Sequence, residues 1–287
     1  MTSWILAARP KTLPAAVVPV VVGGAVTKKL VGEVDYFLLG ATLLGAVFIQ
    51  IATNFFNDAI DAGKGADTDA RLGPVRATAS GALTSRQVFA AGFLTLVLAA
   101  LCGLVLIQAA GWPIALIGIV SCFFAFGYTG GPVPLAYKGL GELFVILFFG
   151  LIAVGGTVYV QTLQWPIESV LAGVQVGLLS SVLISINNLR DRDEDSQSRK
   201  RTLAVRLGLV GGRQVIIWEI VLAGVCAQIW PLLGHLKLIF TAVPVCTLGV
   251  FICWKVLTVP PSRYYNFLLA LSAVMLMSYA VLFLTSV

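Results

Sequence analysis

The sequence predicts an all-α integral membrane protein: a nine-transmembrane-helix bundle with two aspartate-rich cytoplasmic loops. Three observations predict it. Hydrophobic residues make up 59% of the 287-residue chain and charged residues only 11%, with a mean hydropathy of +0.96, against roughly 45–50% and ~25% in a soluble domain. The apolar residues fall into nine runs of near membrane-spanning length, and each must be helical because lipid offers the backbone no other partner. The remaining polar residues concentrate in two insertions, residues 57–86 and 187–213. An ordinary soluble enzyme, a disordered protein and a disulfide-stapled secreted module are excluded.

The nine runs cover residues 13–26, 36–56, 87–110, 112–128, 140–163, 166–186, 215–233, 238–257 and 264–284. The first lacks the small-residue cleavage pattern of a secretory leader and reads as a span. Gly111-Trp112-Pro113 leaves so little chain between the third and fourth runs that they form a hairpin. The five cysteines all lie in apolar runs without a CxxC pair; they read as small hydrophobes, with neither disulfide nor zinc implied. With the N-terminal side taken as inner, that side holds all of the 19 Lys and Arg except Lys28, Lys29 and Lys237. Inner-side enrichment in Lys and Arg puts the N-terminus and both insertions in the cytoplasm and the C-terminus on the opposite side of a cell (inner) membrane. The net charge of +6 is thus a topology signal, and the expected partner is the lipid bilayer, with no nucleic acid. His235 falls in a short outer loop, where a solvated histidine is the default.

The two insertions are alike. Each opens on Asn-x-x-x-Asp, at Asn57 to Asp61 and Asn187 to Asp191, and each closes on Arg-Gln-Val, at Arg86 to Val88 and Arg213 to Val215. A helix–polar loop–helix unit repeated over about 36–110 and 166–233, inside one domain of residues 1–287, is the expected plan.

In the first insertion Asn54, Asn57, Asp58 and Asp61 share one helical face, and Asp67 follows. In the second, Asn187, Asp191 and Asp195 do the same. Two such clusters facing each other suit Mg²⁺, a hard cation that takes carboxylates together with substrate phosphates. The expected ligands are Asp58, Asp61, Asp67, Asp191 and Asp195, around two ions. Asp61, Asp191, Asn57 and Asn187 are the expected catalytic set. Lys64, Arg71, Arg76, Arg190, Lys200 and Lys138 are placed to contact phosphate, with Asn188 beside them. Tyr128 and Tyr137 read either as an interfacial belt or as a wall of the site that meets an acceptor's hydroxyls along with Asn54. Arg9 and Lys11 read as a topology signal or as further anion contacts. The bland alternative, solvated loops kept out of lipid by their charge, does not account for the duplicated Asn-x-x-x-Asp.

At these residues the chain resembles the UbiA superfamily of intramembrane aromatic prenyltransferases. Its two aspartate motifs are matched by Asn57-Asp58-Ala59-Ile60-Asp61 and Asp191-Arg192-Asp193-Glu194-Asp195. Within the superfamily, Ala8 to Pro14, Asn57 to Arg76, Asn187 to Asp191 and Lys200 to Gly208 are most similar to 1,4-dihydroxy-2-naphthoate polyprenyltransferases. Gly65 stands where many ubiquinone-type members carry a further aspartate, with Asp67 following. The resemblance implies Mg²⁺-dependent transfer of a polyprenyl chain from polyprenyl diphosphate to an aromatic acid acceptor. For 1,4-dihydroxy-2-naphthoate the prenyl group replaces the ring carboxylate, with release of CO₂ and diphosphate. Hydroxybenzoate, homogentisate and phytyl-chain enzymes remain alternatives. A transporter would place ionisable residues at the bilayer midplane, whereas these cluster at one face. A CDP-alcohol phosphotransferase would show an Asp-Gly-x-x-Ala-Arg signature, which is absent.

Overall fold

The computed structural model describes residues 2–63, 72, 76–131, 134–198 and 200–287, and among these every regular element is helical. Lys64, Asp67, Arg71 and the segment Gly73-Pro74-Val75 lie outside the described residues. A short α1 (Thr2–Ala8) leads through a 3-10 turn (Pro10–Thr12) into α2 (Pro14–Val31), which stops at Gly32 with φ 83°. There follow α3 (Tyr36–Gly63), α4 (Ser85–Ala110), α5 (Trp112–Gly127), α6 (Gly141–Thr162) and α7 (Ile167–Arg190). The chain ends with the short α8 (Arg192–Gln197), then α9 (Leu203–Ala227), α10 (Leu236–Thr258) and α11 (Tyr265–Ser286).

Among the described residues eight helices are long and apolar enough to cross a membrane, which makes this a multi-pass membrane protein. The fourth apolar run forms α5, only 16 residues long. At 1.5 Å per residue it spans about 24 Å, short of a ~30 Å hydrocarbon core. By length, the nine expected spans therefore reduce to eight and this shorter helix. The α4–α5 hairpin forms as expected: Gly111, at φ 75°, is both the end of α4 and the start of α5, and Pro113 occupies the first turn of α5.

The two aspartate motifs are more helical than loop-like: Asp58, Asp61, Asp193 and Asp195 lie on helices, and Asp191 is the turn residue between α7 and α8. Asn57, Asp58 and Asp61 belong to the last turns of α3, and Asn187 to Arg190 close α7. Asp195 lies in α8. Nor does the second insertion remain a loop up to Arg213. The Thr202 hydroxyl accepts from the Val205 amide at 3.4 Å and starts α9 well ahead of the apolar run. Gly208, at φ 69° and ψ −171°, then bends the chain so that the helix continues. A residue with a Cβ is strained at that φ.

The bundle is organised around α7, which is buried along most of its length. Its neighbour α6 relaxes into a π-helical stretch at Ile146–Ile152, and there the two backbones touch. A Cβ on Gly177 would lie 2.7 Å from the Ile146 carbonyl oxygen, and one on Gly150 would lie 2.7 Å from Gly177 Cα. Small residues allow this approach, the usual way helices associate in lipid. Farther along, the fully buried Gln175 saturates a polar junction. Its amide nitrogen donates to the Ala223 carbonyl (3.1 Å) and Thr241 Oγ1 (3.4 Å), while its oxygen accepts from Trp230 Nε1 (3.0 Å) and the Tyr279 hydroxyl (3.1 Å).

Candidate active site

The ends of α3 and α7 open onto one cavity of about 710 Å³ bounded by α2 to α7. One end is polar: Arg9, Asn54, Asn57, Asp61 and Arg76 face Asn187, Asn188, Asp191, Asp195 and Lys200. The remainder is lined by aliphatic and aromatic groups, among them Leu104, Ile107, Phe124, Phe144 and Phe148. The size is that of a ligand site, and the two motifs read from the sequence meet in it.

On α3 the helical period explains which residues reach the cavity. At about 100° per residue, Asp61 lies close to Asn54 in projection, Asn57 falls to one side and Asp58 to the other. Asn54, Asn57 and Asp61 line the cavity. Asp58 does not; it is buried on the flank, where Thr78 from the returning chain donates to its Oδ1 at 2.8 Å and to its carbonyl at 2.9 Å. The structure thus places Asp58 behind the wall, supporting the turn that carries Arg76. Asp61 is held from two directions. Arg76 Nη1 sits 2.8 Å from Oδ2 and also donates to the Asn57 carbonyl at 3.0 Å, and the Tyr137 hydroxyl donates to Oδ1 at 2.8 Å. Burial and the Asp61 charge push the Tyr137 hydroxyl above its ordinary range, which keeps it a donor.

On α7, Arg190 does not face the cavity. It forks onto Asp191 (Nε to Oδ1 and Nη2 to Oδ2, both 2.6 Å), donates to Asn187 Oδ1 at 2.8 Å and reaches Asn266 Oδ1 at 2.6 Å. Its guanidinium is engaged by these groups of the chain, and the bidentate geometry fixes Asp191 and Asn187. Lys200 lines the cavity, 3.5 Å from Asp195 Oδ1 and 5.9 Å from the Tyr137 ring centroid. Lys11 and Lys138 are exposed and outside the wall. Tyr128 lines it, and Tyr137 acts through Asp61.

Several contributors were not singled out in the sequence. Thr129 donates to Asn57 Oδ1 at 2.7 Å, and Thr12 meets the Asn54 amide at 3.0 Å. Asn266 joins Arg190 to the Leu72 carbonyl, the latter at 3.0 Å. Glu142 lines the cavity and accepts from Asn188 at 2.9 Å. The only available signal was a polar residue at the rim of an apolar run, and that signal is common.

Among the described residues no three acidic, histidine or cysteine side chains already converge on one point, because Asp61 and Asp191 are each turned toward a cation. The donor set nevertheless fits a hard dication. Asp61, Asp191 and Asp195 line the same polar end, and Asp195 Oδ2 is buried without a hydrogen-bond partner among the described residues. Burial, opposed by Lys200 and reinforced by Asp191, pushes the Asp195 carboxyl up to about 6. A nearby dication would favour its charged form.

Comparison with known proteins points the same way. The UbiA prenyltransferase family matches residues 16–264. The 1,4-dihydroxy-2-naphthoate octaprenyltransferase of Mycobacterium tuberculosis is 40% identical over 248 residues, covering 86% of this chain and 81% of that one. The enzyme of the same name from Haemophilus influenzae is 36% identical over 78% of this chain and 74% of its own. The structure of a UbiA homolog from Archaeoglobus fulgidus bound to DMAPP and Mg²⁺ aligns over 99% of both chains with a TM-score of 0.66 at 12% identity, a likeness of fold. The fold, both aspartate motifs and a match that runs through nearly all the spans agree, and the chain belongs to the UbiA prenyltransferase family.

Proposed function

We propose that this protein transfers a polyprenyl chain from polyprenyl diphosphate to 1,4-dihydroxy-2-naphthoate with loss of CO₂ and diphosphate, a step that gives demethylmenaquinone after oxidation, in menaquinone biosynthesis. The observation that carries this reading is the single cavity whose end joins carboxylates and cations and whose length is apolar. A diphosphate suits the first part and a prenyl chain the second. Two relatives at 40% and 36% identity bear the name of that activity.

Asp61, Asp191 and Asp195, with Asp67 from outside the described residues, would hold Mg²⁺, as two ions, whose charge neutralises the departing diphosphate. Arg76 and Lys200 contact the phosphate oxygens, with Arg9 across the cavity. Tyr137 and Arg190 keep Asp61 and Asp191 aimed. The apolar walls exclude water, so the allylic carbon meets the acceptor ring before it meets a hydroxide. The two helix–polar segment–helix units supply one aspartate cluster each. The Lys and Arg distribution supports an inner cell membrane orientation with the N-terminus and the polar end of the cavity cytoplasmic.

Acceptor labelled in its carboxyl group tests the reaction. Stoichiometric release of labelled CO₂ with prenyl transfer is the expected result. A prenylated product that keeps its carboxylate, or turnover with 4-hydroxybenzoate only, would reassign the acceptor and leave the diphosphate end standing. That end has its own test. Arg76→Lys replaces a fork matched to phosphate by a point charge, and it should weaken binding of a non-hydrolysable prenyl thiolodiphosphate about tenfold, ~1.4 kcal/mol. Unchanged affinity in a binding titration would confine Arg76 to its contacts with Asp61 and Asn57.

A further inference from the structure

One carboxylate in the cavity belongs to neither aspartate motif. Glu142 is the second residue of α6, buried, and part of the cavity wall. Its Oε1 is fixed by Asn188 Nδ2 at 2.9 Å. Its Oε2 is buried with no hydrogen-bond partner among the described residues. Buried polar atoms are nearly always paired, so an orphaned carboxylate oxygen at a ligand site calls for a partner that the described residues do not supply. If Glu142 served only to hold Asn188, glutamine would do so with the same shape and no charge to bury. What glutamate adds is an ionisable oxygen.

Its position narrows the partner. Asn188 precedes Asp191 by three residues on α7, so the Glu142–Asn188 pair sits about 4.5 Å deeper along the helix axis than the aspartate. That depth is where the allylic carbon of a chain with its diphosphate at Asp191 would lie. The neighbouring wall is aromatic. Phe144 and Phe148 stack with centroids 4.2 Å apart, and Phe124 packs edge-on against both at 5.2 and 5.5 Å. Tyr128 adjoins Phe144 at 5.6 Å, and all four line the cavity. A flat ring fits against such a wall with one hydroxyl toward Glu142.

We propose that Glu142 is a catalytic residue: its free carboxylate oxygen takes the proton of the ring hydroxyl adjacent to the acceptor's carboxylate and later returns it. The proposal rests on the acceptor reading above. The hydroxyl O–H bond breaks and the proton passes to Glu142. The ring carbon bearing the carboxylate then forms a bond to the allylic carbon while the carbon–oxygen bond to diphosphate breaks, its electron pair leaving with the diphosphate. The result is a β-keto carboxylate. Its bond to the carboxyl carbon breaks, CO₂ leaves, the electron pair restores the aromatic ring as a naphtholate, and Glu142 gives the proton back.

The test uses the full-length protein in lipid nanodiscs with 1,4-dihydroxy-2-naphthoate. Glu142→Gln should lower kcat by about 10²–10⁴-fold, the usual contribution of a positioned base. Affinity for a prenyl thiolodiphosphate should stay within about twofold, since the loss falls in the transition state alone. The variant's rate should climb about tenfold per pH unit toward the acceptor's own phenolic ionisation, around 10, while the wild type shows no such climb. A kcat within about threefold of wild type, a flat pH profile, or a parallel loss of thiolodiphosphate binding overturns the proposal. If Glu142→Gln does not fold, Glu142→Asp, which withdraws the oxygen by one methylene, should lose about tenfold in kcat at unchanged thiolodiphosphate affinity; an unaltered kcat overturns the idea there too. A wild type that ignores dihydroxynaphthoate yet prenylates another phenol overturns the acceptor reading instead, and Glu142 is then judged by the same readouts on that phenol.

Discussion

Asp61→Asn and Asp191→Asn, each alone, are expected to cut prenyl transfer by on the order of 10²–10³-fold or more, the scale of losing one preorganised charge at a reacting centre. The amide keeps the shape of the side chain. At position 61 it still offers an oxygen to the Tyr137 hydroxyl, which now bonds Oδ1 at 2.8 Å. It loses the charge that faces Arg76 at 2.8 Å and that a dication needs. Exchanging a charged for a neutral hydrogen bond costs about 1 kcal/mol, and Arg76 keeps its bond to the Asn57 carbonyl at 3.0 Å, so the fold should survive. Activity at saturating prenyl diphosphate and limiting Mg²⁺ is the measurement, with a thermal melt in detergent as control. Two fully active variants would remove both aspartates from the metal site. Asp58→Asn provides the contrast: its carboxylate faces Thr78 behind the wall, so a loss of only about tenfold is expected, at the low end of the range for a supporting residue.

The largest structural effect is expected at Gly177. A valine there drives a Cβ to 2.7 Å from the Ile146 carbonyl oxygen and 2.9 Å from Ile146 Cα. Both are backbone atoms, so no side-chain rotation relieves the clash, and α6 and α7 must separate. Overpacking of this kind costs typically 1–3 kcal/mol and occasionally more. Separation also moves Glu142 away from Asn188, since one is carried by α6 and the other by α7. Gly177→Val should therefore lower the melting temperature by several degrees and reduce prenyl transfer as well. Gly40→Val, at a glycine of α3 outside the cavity wall with open space where the Cβ would stand, should leave both close to wild type. Equal melting temperatures for the two variants would show that α6 and α7 are free to move apart.

The sequence carried the two clusters because they repeat at helical spacing: Asn54, Asn57 and Asp61 reach one cavity, as that period requires. It did not carry the fate of Asp58, which lies at the margin of the same face. Whether a marginal residue joins the cavity or the flank depends on where the chain returns, and Thr78 returns on the side of Asp58. Arg190 was read as a phosphate contact from its charge. Its actual partners, Asp191 beside it and Asn266 from α11, depend on which way the last turn of α7 is rotated. The early start of α9 was hidden because its first turns fall inside the polar insertion of residues 187–213, and Gly208 is a bend within a continuing helix. Apolar run length located the spans well, since lipid leaves the backbone no alternative. The fourth run, residues 112–128, ends one residue past α5 because the aromatic Tyr128 is apolar enough to extend it.

Gln175 lies at the opposite end of the same helix from the chemistry, 16 residues before Asp191, or about 24 Å away at 1.5 Å per residue. Its four bonds tie α7 to α9, α10, α11 and the turn at Trp230–Leu233. At that depth no water stands ready to replace any of them, so a slide of α7 by one turn, or a rotation by one residue, would break the whole set together. The junction therefore acts as an index pin. It sets the phase of α7 far from the site, and a rigid helix transmits that phase to Asn187, Asn188 and Asp191, deciding which of its side chains face the cavity.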